Sequence, residues 1–329
     1  MKVQQIIGAD LSKKTIDLVC HLNNHHLKVD NCTSGFKELL QWLEKQNIKL
    51  CESMIVMEHT GYYSFCFEDF LHQNHIAFTK VNALVIKRSI GIVRGKSDKV
   101  DAGRIASYGH EKQFKLTAAE VVSQELKRLQ MLQSTRLRLV KQRAGLVCAI
   151  KEYRCIGISE KDLILKSQLQ MVKEFEKQVE KLDQEIQLII DKNESLKQNF
   201  NLLQSIKGVG KVVATAAIIK TNNFSRFTNA RKFACYCGTA PFEHTSGTSI
   251  KGRTRVSHLA DKQMKVLLDL SAKSAIQFDK ELREFYNRRL EMGKSKMSTI
   301  NIVRNKILYR MFAVVKRQTP FIEDYLQTA

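Results

Sequence analysis

The chain has 329 residues, with 54 Lys and Arg against 33 Asp and Glu, a formal net charge of +21 and a pI near 9.6. That length holds two or three domains, no stretch reaches the roughly 18 uninterrupted apolar residues of a membrane span, and Met1-Lys2-Val3-Gln4 opens no signal-peptide apolar region, so a cytoplasmic protein is expected. So basic a chain ordinarily meets a polyanion, of which nucleic acid is the commonest; the plainer alternative is a basic surface kept for solubility.

Residues 3–9, 15–22 and 26–31 read as short strands. Ser34 is placed to cap a helix running to Gln46, with Phe36, Leu39, Leu40 and Leu43 at helical spacing. A fourth strand is expected over 54–58, a second helix over 62–73 and a fifth strand over 77–81. Strands, helix, strand, helix, strand is the ribonuclease H-like order, expected over residues 1–115. Residues 87–96 carry Lys87, Arg88, Arg94 and Lys96 with two glycines and read as a basic loop.

Four carboxylates stand out in this N-terminal third. Asp10 closes the first apolar run and Glu58 closes the run 54–58. Asp98 and Asp101 lie three residues apart in Lys96-Ser97-Asp98-Lys99-Val100-Asp101-Ala102, which reads as the first turn of a helix. Residues at that spacing share a helix face, with Cβ atoms about 5–6 Å apart. A hard divalent cation takes oxygen ligands, and a pair of cations about 3.5–4 Å apart takes several carboxylates. Without metal such a cluster repels itself and raises its own pKa values. Asp10, Glu58, Asp98 and Asp101 are therefore candidate metal ligands of a site that cuts nucleic acid.

Residues 117–203 are nearly proline-free and helical. Leu165, Val172, Phe175, Val179, Leu182, Ile186, Ile189, Leu196, Phe200 and Leu203 follow steps of three and four, interrupted at Asn193. The preceding stretch alternates Leu129, Leu132, Leu139 and Leu146 with Arg136 and Arg143, which suggests that this face also meets phosphate. A turn near 155–159 separates the two helices, which fit either a hairpin within one chain or a dimerising coiled coil. The eight cysteines include no CxxC pair; most fall within apolar runs and read as reduced, small core residues, with no zinc site expected.

Beyond Gln204, Lys207-Gly208-Val209-Gly210-Lys211 joins two helical stretches. Gly208 and Gly210 allow a tight turn that presents N–H groups to phosphate, and Lys207 and Lys211 flank it, as in a helix-hairpin-helix; an ordinary helix cap is the alternative. Residues 238–255 read as a loop rich in Gly, Thr and Ser with the basic tail Lys251, Arg253 and Arg255. Any of Thr245, Ser246, Thr248 and Ser249 can donate hydrogen bonds to phosphate, or act as a nucleophile if a base or metal activates it. By chemistry alone an ordinary loop is the better reading, and His244 and His258 are more often simply exposed. Helices are expected over 262–274, 280–289 and 297–317. The last sets Arg304, Lys306, Arg310, Lys316 and Arg317 beside Ile302, Ile307, Met311 and Val315, a packed face and a basic face suited to a groove or a guide RNA.

Gly8-Ala9-Asp10-Leu11-Ser12-Lys13, Met57-Glu58-His59-Thr60-Gly61-Tyr62, Lys96-Ser97-Asp98-Lys99-Val100-Asp101-Ala102, Ile206-Lys207-Gly208-Val209-Gly210 and Ser246-Gly247-Thr248 occur in this order. In that order the chain resembles the DEDD insertion-sequence transposases over essentially its whole length. His59 and Lys207 depart from the pattern without touching a candidate catalytic position. The resemblance implies a RuvC-like, α/β ribonuclease H-like domain over 1–115, a helical coiled coil over 116–203 and a mainly α transposase domain over 204–329. It implies a recombinase that cuts and exchanges DNA strands, guided by a structured non-coding bridge RNA that pairs with donor and target. It also implies Mg²⁺ on Asp10, Glu58, Asp98 and Asp101, Ser246 as a nucleophile forming a phosphoserine linkage, and a homodimer that becomes a tetramer in synaptic complexes. The alternative is a RuvC-like, metal-dependent junction endonuclease in which water is the nucleophile. A non-enzymatic nucleic-acid scaffold is a third reading.

Overall fold

Successive residues of a strand face opposite sides of a sheet, and β1 (Gln5–Leu11) uses its two sides differently. Ile7, Ala9 and Leu11 are buried on one; Ile6, Gly8 and then Asp10 line the other. The computed structural model describes residues 5–91, 95, 97–246 and 250–322, without the side chains of 244–246, 250, 251 and 253. The chain divides into two compact units, Met1–Val121 and Val122–Ala329.

In the first unit β2 (Thr15–Cys20) runs antiparallel to β1, and β3 (His26–Asp30) antiparallel to β2. After α1 (Thr33–Lys45), β4 (Ser53–Glu58) adds parallel to β1; after α2 (Phe65–Gln73), β5 (Ala77–Val81) adds parallel to β4. The five-stranded mixed sheet has the order β3-β2-β1-β4-β5, the ribonuclease H-like arrangement. Ile7, Ala9, Leu11, Ile55 and Met57 pack with Phe36 and Leu39 of α1 and Phe67 and Leu71 of α2. Ile6, Met54, Val56 and Val81 meet Ile105 and Tyr108 of α4 (Asp98–Glu111) on the opposite face.

A glycine decides how closely α4 approaches. A Cβ on Gly8 would stand 2.2 Å from the Ala102 carbonyl oxygen and 2.3 Å from the Ala106 nitrogen. Backbone therefore meets backbone where α4 crosses β1. Gly109, further along α4, packs against the side chains of Ile6 and Val56.

Two local expectations change in this unit. The N-cap of α1 is Cys32, whose side chain caps no backbone N–H, and Ser34 falls inside the first turn. The basic stretch from Lys87 begins within a helix, α3 (Ala83–Ser89), whose cap is Asn82: Asn82 Oδ1 accepts the Leu84 N–H at 2.9 Å. Lys87 and Arg88 fill its last turn, where cations complement the free carbonyls. Residues 92–94 and 96 of the expected loop lie outside the described residues.

In the second unit α5 (Gln124–Cys155) and α6 (Leu163–Lys192) form an antiparallel hairpin within the chain. Its base joins α7 (Glu194–Gln204), α8 (Lys211–Thr221), α9 (Ala230–Tyr236), α10 (Lys262–Phe278), α11 (Lys280–Glu291) and α12 (Lys296–Arg317) in one core. That core runs from Leu126, Leu129 and Leu132 through Ile186 and Phe200 to Val303, Ile307 and Met311. The helices expected over 116–203 thus share a compact unit with the C-terminal helices. Residues 241–256 form a ribbon of β6 (Pro241–Ser246) and β7 (Ile250–Val256) rather than a loop.

The expected phosphate-facing arginines are largely used internally. Arg136 makes a two-pronged pair with Asp183, Nε to Oδ1 at 2.6 Å and Nη2 to Oδ2 at 3.1 Å, and Arg143 reaches Glu176 at 2.6 Å. On α12, Arg304 is buried against Asp269, Arg310 pairs with Asp279 and Glu281, and Lys306 meets Glu281. Arg304 and Arg310 of the basic face thus belong to an ion-pair seam, while Lys316 and Arg317 at its C-terminal end are exposed. The cysteines also differ from expectation: all eight are free, but only Cys20 and Cys237 are buried, while Cys32, Cys51, Cys66, Cys148 and Cys155 are exposed.

Candidate active site

Parallel pairing of β1 with β4 sets Ala9 beside Met57, so Asp10 and Glu58 follow as neighbours where the two strands end. Asp98 and Asp101 arrive from α4, whose N-cap is Ser97: its Oγ accepts the Val100 N–H at 3.3 Å. The seat at Gly8 brings that first turn over Asp10. All four predicted carboxylates are thereby gathered at one edge of the sheet.

Their mutual repulsion is visible in protonation. Burial, then Glu58, Asp101, Asp98 and Asp17 in turn, push the Asp10 carboxyl from its ordinary value up to about 6. Burial and the Asp101 charge raise Glu58 as well. Two basic side chains hold the α4 carboxylates: Arg104 Nη1 donates to Asp101 Oδ1 at 2.8 Å while its Nη2 reaches the Gly95 carbonyl, and Lys28 Nζ lies 3.8 Å from Asp98. Among the described residues no three carboxylate, His or Cys groups stand ready to share one ion. The donor set nevertheless suits a hard divalent cation. It is all oxygen, it converges, and it carries a charge that protonation of Asp10 only partly relieves.

Sequence reasoning missed a fifth acid. Asp17 lies directly opposite Asp10 across the β1–β2 pair and is only 3 % exposed. It accepts from His26 Nε2 at 2.7 Å and faces Lys28 Nζ at 3.5 Å. The clue was an acid inside the apolar run 15–22, but only strand register brings it to Asp10.

In the second unit Ser246 is the last residue of β6, and its side chain lies outside the described residues, as do those of Lys251 and Arg253. Arg255 is exposed on β7. Gly247, Thr248 and Ser249 also lie outside the described residues. Both legs of the ribbon are anchored by groups that the sequence did not single out. The Thr239 carbonyl accepts from Asn301 Nδ2 at 2.7 Å and Asn305 Nδ2 at 2.9 Å, and Asp261 accepts from Lys220 Nζ at 2.7 Å and the Tyr236 hydroxyl at 3.0 Å.

Gly208 and Gly210 lie in the turn from α7 to α8. Gly208 has φ +89°, and a Cβ there would come within 2.5 Å of the Ser271 carbonyl of α10, so internal packing alone demands glycine. Gly210 is the N-cap of α8 with open space around it. Lys207 is exposed, and Lys211 lines a cleft of about 970 Å³ shared with Arg136, Asp183, Val179 and Phe200.

A ribonuclease H-like sheet with two acids on adjacent strands and two on the crossing helix defines a nucleic-acid-processing domain of the DEDD class. Comparison with known proteins agrees. Residues 7–153 match the transposase family DEDD_Tnp_IS110, and residues 200–287 match the family described as Transposase IS116/IS110/IS902. A pilin gene-inverting protein of Moraxella bovis is 26 % identical over 96 % of this chain and 97 % of its own length. That of Moraxella lacunata is 27 % identical with the same coverage. An uncharacterized 43.6 kDa protein of insertion element IS110 in Streptomyces coelicolor is 28 % identical over 36 % of this chain and 29 % of its own length. Two successive stretches of the chain thus match IS110-type transposase models, and these matches with the full-length relatives make it a DNA transposase or recombinase similar to that family. DEDD transposases generally use divalent metal ions. No helix among the described residues is long and apolar enough to cross a membrane.

Proposed function

We propose that this transposase cuts and rejoins DNA with Mg²⁺ held by Asp10, Glu58, Asp98 and Asp101, through a covalent linkage to Ser246. The convergence of the four carboxylates, with Asp10 and Glu58 raised by burial and by the charges around them, carries the reading. When bound, Mg²⁺ would neutralise that charge and polarise the scissile phosphate. Ser246 Oγ gives up its proton and forms the new P–O bond, while the departing strand oxygen takes a proton. The bond energy stays in the phosphoserine, so a second strand's hydroxyl can displace the serine without a nucleotide cofactor.

The reading extends to the partners. The +21 charge suits two polyanions at once, donor or target DNA and a structured bridge RNA that supplies sequence by base pairing. Lys207, Gly208, Gly210 and Lys211, read as a helix-hairpin-helix, together with Lys251, Arg253 and Arg255, contact backbones without reading sequence. The half-buried middle of the α5–α6 seam, Val172, Phe175 and Val179, suits a coiled coil with a second copy, with tetramers in the synaptic complex. The relatives named for pilin gene inversion suggest that inverting a segment and moving one are outcomes of the same strand exchange.

The test is a denaturing gel after incubation with Mg²⁺, the flanking transcript and a plasmid carrying the element's ends. Wild type is expected to leave protein covalently on DNA; Ser246→Ala is expected to leave none while still binding RNA. Cleavage without an adduct would favour the water-dependent junction endonuclease, and full activity in EDTA would overturn the role of metal.

A further inference from the structure

Four residues beyond Glu58 the chain places two neighbouring tyrosines in solvent, Tyr62 at 41 % and Tyr63 at 51 % exposure. A single exposed aromatic needs no explanation, but this turn is held from several sides. Gly61 turns the chain with φ +73°. Buried Ser64 donates to the Gly61 carbonyl at 3.0 Å and to Glu68 Oε1 at 2.6 Å, and buried Glu68 is paired with Lys80 at 2.7 Å. Asn31 then ties the turn to its neighbour: its Nδ2 donates to both the Tyr63 carbonyl and the Ser12 carbonyl, each at 2.9 Å. Ser12 opens the β1–β2 turn, fixed by its Oγ against Thr15, and the next two residues are the exposed Lys13 and Lys14. A rigid rim of two aromatics and two cations thus stands at the sheet edge where Asp10 and Glu58 end their strands.

We infer that Tyr62 and Tyr63 are a stacking platform for unpaired DNA bases beside the carboxylate site, with Lys13 and Lys14 on the adjoining phosphates. The inference rests on the proposed reading that DNA is cut at those carboxylates. Every base has a π-face, so stacking on tyrosine binds unpaired DNA without reading its sequence. A duplex buries those faces in its own stack, so the platform selects DNA opened near the cut. Charge complementarity names the occupant, because a strand crossing the acidic edge needs cations on its flanking phosphates and Lys13 and Lys14 supply them.

The test uses full-length protein in EDTA and two DNA duplexes, one fully paired and one with a central unpaired bubble containing 2-aminopurine. Wild type is expected to bind the bubble about tenfold or more tighter than the duplex and to change the 2-aminopurine fluorescence. The double variant Tyr62→Ala/Tyr63→Ala is expected to lose both the preference and the fluorescence change, and Tyr62→Phe/Tyr63→Phe to keep them. Lys13→Ala/Lys14→Ala is expected to weaken both DNAs equally. Asp10→Ala is expected to keep the bubble preference in EDTA and, in a parallel incubation with Mg²⁺, to lose the cleavage that wild type shows, so cleavage surviving in Asp10→Ala would sink the carboxylate reading alone. An alanine pair that keeps the preference, or a signal confined to the same bubble made of RNA, would overturn the platform.

Discussion

Burial first, and then the charges of Glu58, Asp101, Asp98 and Asp17, raise the Asp10 carboxyl to about 6. Between the ordinary carboxylate range and that value the folded chain binds a proton that the unfolded chain has released. The contribution of Asp10 to metal-free stability is therefore expected to fall as pH rises through this window, opposite in sign to that of Asp261 and Asp269, whose paired carboxyls are lowered. Asp10→Asn removes the buried charge and is expected to stabilise the metal-free protein at pH 7 by up to about 2 kcal/mol after allowance for solvent screening, while abolishing cleavage. Urea melts of both proteins in EDTA at pH 4.5 and 7 check the sign: a gain from the substitution that is no larger at pH 7 than at pH 4.5 would contradict the raised Asp10 carboxyl.

At the scale of elements, the contact of α4 with β1 decides whether the carboxylates meet. Gly8→Ala places a methyl against two backbone atoms that cannot swing aside, so a loss of about 2–3 kcal/mol with loss of cleavage is expected. Gly103→Ala on the same helix meets nothing within 4 Å and is expected to be neutral or slightly stabilising. Chemical denaturation of the two variants measures the contrast. Much of this unit was legible in the sequence, because the strand runs and the Ser97 cap with its i, i+3 acids are local signals. The β6–β7 ribbon was not legible: its strands, PFEHTS and IKGRTRV, lack a regular apolar alternation, and they are defined by pairing with each other. Nor was α3, whose Lys87 and Arg88 read as a basic loop when they fill a helix end. Asp17 needed register, and Gly208 needed α10, more than 60 residues away in sequence.

Across the whole molecule, the distribution of charge differs from its count. Arg136, Arg143, Arg304 and Arg310 look like nucleic-acid contacts along the chain, yet each meets a carboxylate from a distant segment. No local pattern reveals partners 31 to 47 residues away. Replacing Arg310 by Met is expected to leave the salt dependence of DNA binding unchanged, whereas each phosphate-contacting lysine removed lowers the slope by about one. Asp279→Ala leaves Arg310 without its buried partner and unseats the cap of α11, where Asp279 Oδ1 accepts the Leu282 N–H at 2.9 Å. A cost of about 3–5 kcal/mol is expected, measured by thermal unfolding.

The two-sided character of β1 has a consequence for how this gene can change. Deleting one codon anywhere between residues 5 and 9 would turn Leu11 onto the side that α4 covers, into the place of Asp10, and drive the acid of Asp10 into the apolar layer over α1 and α2. Losing two codons would restore the alternation but shorten the strand short of its neighbour's end. The reading frame of this strand is thus policed by folding itself, and the variation that the element tolerates here is substitution, never slippage.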